Sequence, residues 1–321
     1  MTELSNQNEN NFPSAEDILA TIDGIPLPPE IKKNLWKSIG RLITGAVDVP
    51  VAYLEAKVQQ IKSESNALAL VTKYAADYAA KEFGQDKFLI DRTVNHFGSK
   101  LLREQINRER TIELAVEDLK INPPKEDSKK EIDDDWLEMF SRISETKSNE
   151  DVQLFLSKIL SGEIRNPGTF SPKTIQTLSL LDQNTAKIFQ DFCNISFEIP
   201  EIGDAMVCVM TEPFGSAGNN ALSPVGLSYS QLTQLQDSGL IQYELNAWRQ
   251  FPSVLFQFPF TLGNKTFRFN VKNETAKEPT KVTIINFTKV GLEMRRVIHS
   301  SSNDIYNEKF KEWFIKKFPL I

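Results

Sequence analysis

A chain of 321 residues has material for two or three domains, and its 40% hydrophobic and 25% charged content is that of an ordinary soluble protein. Only two cysteines occur, Cys193 and Cys208, without CxxC spacing, which excludes a disulfide framework or a zinc finger; no apolar run approaches the ~20 residues of a membrane-spanning helix. The net charge of −6 hides an asymmetry: residues 1–30 hold 6 acidic and no basic side chains, whereas residues 241–321 hold 13 basic against 7 acidic.

Residues 1–27 are polar and acidic, which predicts a disordered tail. The opening MTELSNQNEN lacks the basic-then-apolar order of a secretion signal, so a cytoplasmic location is expected. Pro28, Pro29 and Glu30 then open a helix with Ile31, Leu35, Ile39, Leu42 and Ala46 on one stripe. Pro50 interrupts it, and the pattern resumes through Val51, Leu54, Val58 and Ile61, then Leu68, Val71, Ala75 and Tyr78. A last stretch carries Leu89, Val94, Phe97, Leu101, Ile106 and Leu119; unbroken from Asp86 it is about 51 Å long at 1.5 Å per residue. Residues 28–119 therefore read as a long-helix bundle or a homo-oligomerisation region. Lys32, Lys33, Lys37 and Arg41 would also suit an anionic lipid surface, but the later helices offer matching apolar stripes, so bundle packing is preferred to a membrane surface. The string KINPPKEDSKKE, residues 120–131, reads as a hinge.

Residues 132–195 read as a four-helix module. Asp133 to Asp135 place negative charge at the start of a helix with Trp136, Leu137 and Phe140 on one side. The next helix runs from about Ser148 with Val152, Phe155, Ile159 and Leu160 on its stripe, and Gly162 is able to stop it. Asn166, Pro167 and Gly168 make a turn; Ser171 caps a third helix and Pro172 takes its first position. Ile175, Leu178 and Leu181 face inward there, and Asp182 begins a fourth helix through Ala186 and Phe189. The turn NPGTFSPK offers backbone N–H groups beside Lys173 to a phosphate or carboxylate, or else to Ser171 and Glu163 of the chain itself; lacking several glycines, it is treated as a turn.

Trp136 with Phe140, then ILSGEIRNPGTFS, then LSLLDQNTAKIF resemble the signature of a bacterial family known as domain of unknown function 2806. Trp136, Phe140, Gly162, Glu163, Pro167, Gly168 and Ser171 carry that likeness. It implies a module without implying an activity. The helix order, with its Trp-led helix, is more loosely similar to helical abortive-infection alpha proteins, which implies a setting in phage defence.

Residues 196–321 turn toward β structure. AMVCVM (205–210) is a short buried strand candidate, followed by the Gly- and Asn-rich loop TEPFGSAGNN. Ser228 and Gln231 form a capping box for a helix holding Leu232 and Leu235, which Gly239 ends. The alternating runs VLFQFPFTL, KTFRFNV and KVTIINF read as strands, the first two joined by a turn at Gly263 and Asn264; a final helix carries Val290, Met294 and Val297. The order LTQLQDSGLI, hairpin, FTKVGLEMRRVI resembles a winged-helix module, a likeness that carries no substrate information; the segment reads either as a duplex DNA binder or as a protein–protein contact. Arg249, Lys265, Arg268, Lys272 and Lys281 are the candidate phosphate contacts. Against DNA stands the capped helix LSYSQLTQLQDSG, which has no Lys or Arg to read a groove.

Catalytic chemistry finds little support. His96 and His299 are the only histidines, the second in the last turn of the final helix, and neither has a nucleophile or carboxylate at motif spacing. Asp133, Asp134 and Asp135 diverge by about 100° each on a helix, which suits capping better than metal binding. The sequence thus predicts a mainly α protein with a smaller α+β part and no metal or cofactor. Its expected role is non-enzymatic assembly or regulation through an unidentified protein partner and self-association, with winged-helix DNA binding as the rival.

Overall fold

The computed structural model describes residues 25–44, 87–124, 128, 130–215, 220–269, 271 and 279–318. Residues 1–24 of the expected tail, the apolar stripe from Ala46 to Tyr78 and Lys272 lie outside the described residues. Its contacts divide the chain into two compact units, Met1–Pro172 and Lys173–Ile321. The boundary falls inside the segment 132–195 that the sequence groups as one four-helix module: two of its helices belong to each unit.

In the first unit, helix α1 (Pro29–Ile39) starts on Pro28 and Pro29, where a missing N–H costs nothing, and buries Ile31, Leu35, Trp36 and Ile39. One π-helical turn, Gly40–Thr44, continues it. Helix α2 (Lys87–Ile121) is the long helix expected, 35 residues and about 52 Å. Its C-terminal half buries Ile112, Ala115, Val116 and Leu119, while Phe88, Phe97, Leu101 and Leu102 toward its start remain exposed. Helix α3 (Asp134–Ser144) begins on Asp133, whose carboxylate accepts from the Trp136 N–H, and α4 (Glu150–Arg165) begins on Asn149, which caps Val152. Helix α2 packs along α4 and also against α3.

Gly162 does not end α4, which runs on to Arg165. The glycine is there for a different reason: a β-carbon on it would lie 2.7 Å from Cε2 of Phe170, so its bare backbone admits that ring.

The far end of the expected hinge is pinned to α1. Buried Asn34 donates to the Lys130 carbonyl at 3.0 Å and accepts the Ile132 N–H at 3.1 Å, as a strand neighbour would. Lys37 adds a bond to the Ile132 carbonyl at 2.7 Å. Lys33, Lys37 and Arg41, spaced one helical turn apart, pair with Glu131, Asp134 and Glu138. Three of the four cations weighed for a lipid surface are therefore occupied within the unit. Among the described residues, no helix is long and apolar enough to cross a membrane.

The second unit holds helices α5 (Pro172–Leu180), α6 (Gln183–Cys193), α7 (Tyr229–Asp237), α8 (Lys289–Arg295) and α9 (Asp304–Lys317) around an antiparallel sheet. Its strands are β1 (Phe197–Glu198), β2 (Cys208–Met210), β3 (Ile241–Gln242), β4 (Trp248–Phe251), β5 (Phe260–Leu262), β6 (Lys265–Phe267) and β7 (Thr280–Phe287). They run in the order β3-β7-β2-β1-β5-β6, and β4 also pairs with β7. Strand β7 is the axis: β3 meets its end at Asn286 and Phe287, β4 meets Thr280 to Thr283, and β2 lies along Ile284 to Asn286.

Several sequence expectations shift here. VLFQFPFTL is not one strand: Ser253–Gln257 forms a 3-10 turn and only Phe260–Leu262 joins the sheet, because Pro252 and Pro259 remove ladder donors on either side. Among the described residues of KTFRFNV, Lys265–Phe267 is strand and Val271 an isolated bridge, and of AMVCVM only Cys208–Met210 is strand. Strand β4 and helix α9 stand where the sequence analysis predicts no element. The final helix predicted at Val290 to Val297 stops at Arg295, leaving His299 beyond it, and α9 follows. That last helix contributes Tyr306, Phe310 and Phe314 to an aromatic core with Phe197, Phe251, Phe256 and Phe260, all fully buried. The ring centroids of Phe256 and Phe314 are 4.9 Å apart, edge to face, which is the favourable arrangement for such pairs.

Candidate functional site

The signature residues converge in the first unit. Trp136 and Phe140, one turn apart on α3, stack with centroids 5.2 Å apart. The Trp136 indole N–H donates to the Phe170 carbonyl at 2.7 Å, and the Phe170 ring seats on Gly162. Glu163, 2% exposed, turns its carboxylate into the loop after α4, where it accepts the Gly168 N–H at 2.5 Å and the Phe170 N–H at 3.0 Å. Gly168 reaches this position with φ of +91°, next to Pro167. Two amides that could have held an outside anion are therefore given to the chain's own carboxylate. Ser171 lies directly before α5. These residues build a turn and a knot of aromatic rings.

A second locus lies between α6 and α7, within the second unit. Asp182 caps α6, accepting the Thr185 N–H at 2.8 Å and the Thr185 hydroxyl at 2.6 Å. Gln234 on α7 donates to that same hydroxyl oxygen at 2.6 Å, so one threonine ties the two helices together. Above this chain of bonds lies a shallow groove of about 540 Å³, largely open to solvent and lined by Asp182, Thr185, Tyr229, Thr233, Gln234 and Asp237 among others, with no Lys, Arg or His in its wall. The Thr185 hydroxyl and amide hold the Asp182 carboxyl below its ordinary range, outweighing desolvation. Tyr229 is 54% exposed, and its ring meets Tyr243 edge to face at 5.7 Å.

Helix α7 itself matches its sequence signals. Ser228 and Gln231 make the capping box, and Gly239, at φ of +72°, closes the helix while Leu240 donates back to the Leu235 carbonyl at 3.0 Å.

The candidate phosphate contacts do not form one patch. Arg249 on β4 donates to the Ala205 carbonyl at 2.9 Å and to Asn286 at 2.7 Å. Lys281 on β7 sits 4.4 Å over the exposed Trp248 ring and is opposite Gln250 in the ladder, whereas Arg249 is opposite Val282, so the two cations lie on opposite faces of it. Lys265 and Arg268 lie at and just past β6, at the other end of the strand order, with β2, β1 and β5 between β6 and β7. Lys265 approaches Asp304 at 3.6 Å. Lys272 lies outside the described residues.

Cys193 and Cys208 are free and buried, and desolvation pushes each thiol up to about 12, against smaller opposing effects of Arg295 and Arg249. Among the described residues no group of three or more His, Cys, Asp or Glu could hold a metal ion.

A helical unit built on one long helix, joined to a unit of helices around an antiparallel sheet, is thus the class of protein in hand. The family described as protein of unknown function (DUF2806) matches residues 91–311, and the chain belongs to it. That span runs from within α2 into α9 and so takes in both units, well beyond the central motif. No curated protein and no solved structure matches the chain.

Proposed function

We propose that this is a cytoplasmic, non-enzymatic assembly or regulatory protein acting through protein–protein contacts, in the phage-defence setting that its looser helical resemblance implies. Residues 28–119 would drive self-association, and the C-terminal α+β unit would recognise the partner. The observation that supports this best is the surface of α7. If the C-terminal unit is winged-helix-like, α7 is the helix that would enter a DNA groove, yet it has no Lys or Arg and its own groove against α6 presents Asp182 and Asp237. Phosphate would be repelled there, whereas a protein surface can supply the matching donors. Phe97, Leu101 and Leu102, at 59%, 50% and 54% exposure on α2, support the self-association.

The rival reading is a winged-helix DNA-binding regulator. It is favoured by the order α7, β3, β4, β7 and by exposed Arg268 beside the β5–β6 hairpin. Two measurements on the full chain decide. Light scattering is expected to give a multiple of the 36.4 kDa chain mass, lowered by Phe97→Lys with Leu101→Lys; a monomeric mass for the unaltered chain removes self-association. Titration with duplex DNA across a salt series is expected to show no salt-dependent affinity, and a steep slope would hand the case to the regulator.

A further inference from the structure

We propose that the groove between α6 and α7 receives a Lys- or Arg-bearing segment of a protein partner. This rests on the protein–protein reading above and names the chemistry of the partner at that site.

The argument begins with what the wall offers. Asp182 stands at the start of α6 and Asp237 at the end of α7, so two carboxylates border the space. The last turn of α7 adds its carbonyl end, which carries partial negative charge beside Asp237, whereas the positive N-terminus of α6 is already answered by the Asp182 cap, so Asp237 is the main carboxylate offered to a cation. The Thr185 hydroxyl is used on both sides, donating to Asp182 and accepting from Gln234, while Thr233 donates its proton to the Tyr229 carbonyl and so turns its oxygen toward accepting. Tyr229 contributes a half-exposed ring on which a guanidinium or ammonium can lie. Acceptors, an aromatic face and no cation together select an organic cation.

An inorganic ion is a poorer fit, since two carboxylates fall short of the six to eight oxygens that calcium prefers. A guanidinium takes a carboxylate through two parallel hydrogen bonds and leaves its stem along the ring. The opening faces solvent along the helix pair, which suits a chain segment passing over it.

The test uses the full chain and a fluorescently labelled peptide with Arg-Lys-Arg between neutral residues, compared with the same peptide carrying Glu-Asp-Glu. Saturable binding of the first alone is expected. Asp237→Asn should weaken it about tenfold or more, as loss of a charge-assisted contact does, and Tyr229→Ala about threefold through the lost cation–π contact. Asp182 is left intact because it caps α6, and circular dichroism verifies that each variant is folded. Glu308→Gln, on the exposed face of α9, is the control for general charge and should change affinity less than about twofold. Equal weakening by Glu308→Gln would assign the binding to net charge and overturn the proposal. Full displacement by an equal concentration of spermidine would assign the groove to free polyamines, with the same result. Absence of peptide binding in a chain that self-associates and ignores duplex DNA sinks the groove assignment alone, whereas salt-dependent DNA binding sinks the reading beneath it.

Discussion

The indole N–H of Trp136 donates to the carbonyl oxygen of Phe170 at 2.7 Å, across 34 residues of chain. That one bond closes the loop after α4 over α3 and holds the Phe170 ring, 3% exposed, against the backbone of Gly162. Trp136, Phe140, Gly162, Glu163 and Gly168 of the family signature all serve this closure.

Gly162→Ala should therefore destabilise the protein although alanine is the better helix former. Helix propensity alone favours the change by about 1 kcal/mol. The new methyl would meet Phe170 Cε2 at 2.7 Å, and a ring anchored by its own carbonyl can retreat only partly. Overpacking of about 1–3 kcal/mol exceeds the propensity gain. Urea denaturation should show a lower midpoint with an unchanged slope, and a raised midpoint would remove the close-approach account of this glycine.

Glu163→Gln tests the internal anion. One of its two acceptors becomes an NH₂ group facing the amide of Gly168 or Phe170, so a buried donor loses its partner. A loss of about 1–3 kcal/mol in unfolding free energy is expected. Amide exchange should rise at whichever of Gly168 and Phe170 faces the new NH₂ and much less at the other, which a general loosening of the unit would not reproduce.

Asp118 ties α2 to α4: Ser161 donates to it at 2.5 Å and Arg165 at 2.6 Å. Desolvation raises its carboxyl, but the bonds from Ser161 and Arg165 outweigh that and leave it below the ordinary range. A depressed folded value means the stabilisation is present above the unfolded value of about 3.9 and is lost as pH falls through the folded one. In Asp118→Asn the decline in stability below about pH 4 should be shallower than in the unaltered chain. Because Asp182 and Glu131 are lowered as well, the decline should shrink without vanishing. An identical acid profile would show that Asp118 titrates alike in both states.

Cys193 and Cys208 should ignore thiol reagents in the folded protein. With each thiol pushed up to about 12 by burial, almost no thiolate exists at pH 8 and neither sulfur is accessible. Ellman's reagent is expected to detect no thiol before urea is added and two afterwards. Rapid native labelling of either would place it at the surface.

Local chemistry made much of the chain readable from its residues. Asp133, Asp182 and the Ser228 and Gln231 pair announce helix starts because a side-chain oxygen two or three residues ahead of a free N–H is a short-range device. The 3.6-residue stripes of α1 and α2 are equally local. Gly162 shows where that reasoning failed: a glycine near a helix end looks like a stop, and only the ring of Phe170 gives it another purpose. The role of Asn34 is not legible in the sequence, because a polar residue within an apolar stripe carries no periodic signal, although it holds the backbone at Lys130 and Ile132. The groove between α6 and α7 is not legible in the sequence either, for a different reason: Asp182 and Asp237 come to one wall only when the chain folds.

By itself the sequence determined helix starts, the length of α2, the family signature and the absence of cations on α7, all of which follow from neighbouring residues. The tertiary structure alone decided that Glu163 fills its own turn, that Lys33, Lys37 and Arg41 are already paired, and that Arg249 and Lys281 stand apart from Lys265 and Arg268. Those outcomes depend on which distant groups meet once the chain is packed, and hydrogen bonds and ion pairs act over a few ångströms in space whatever their separation along the chain.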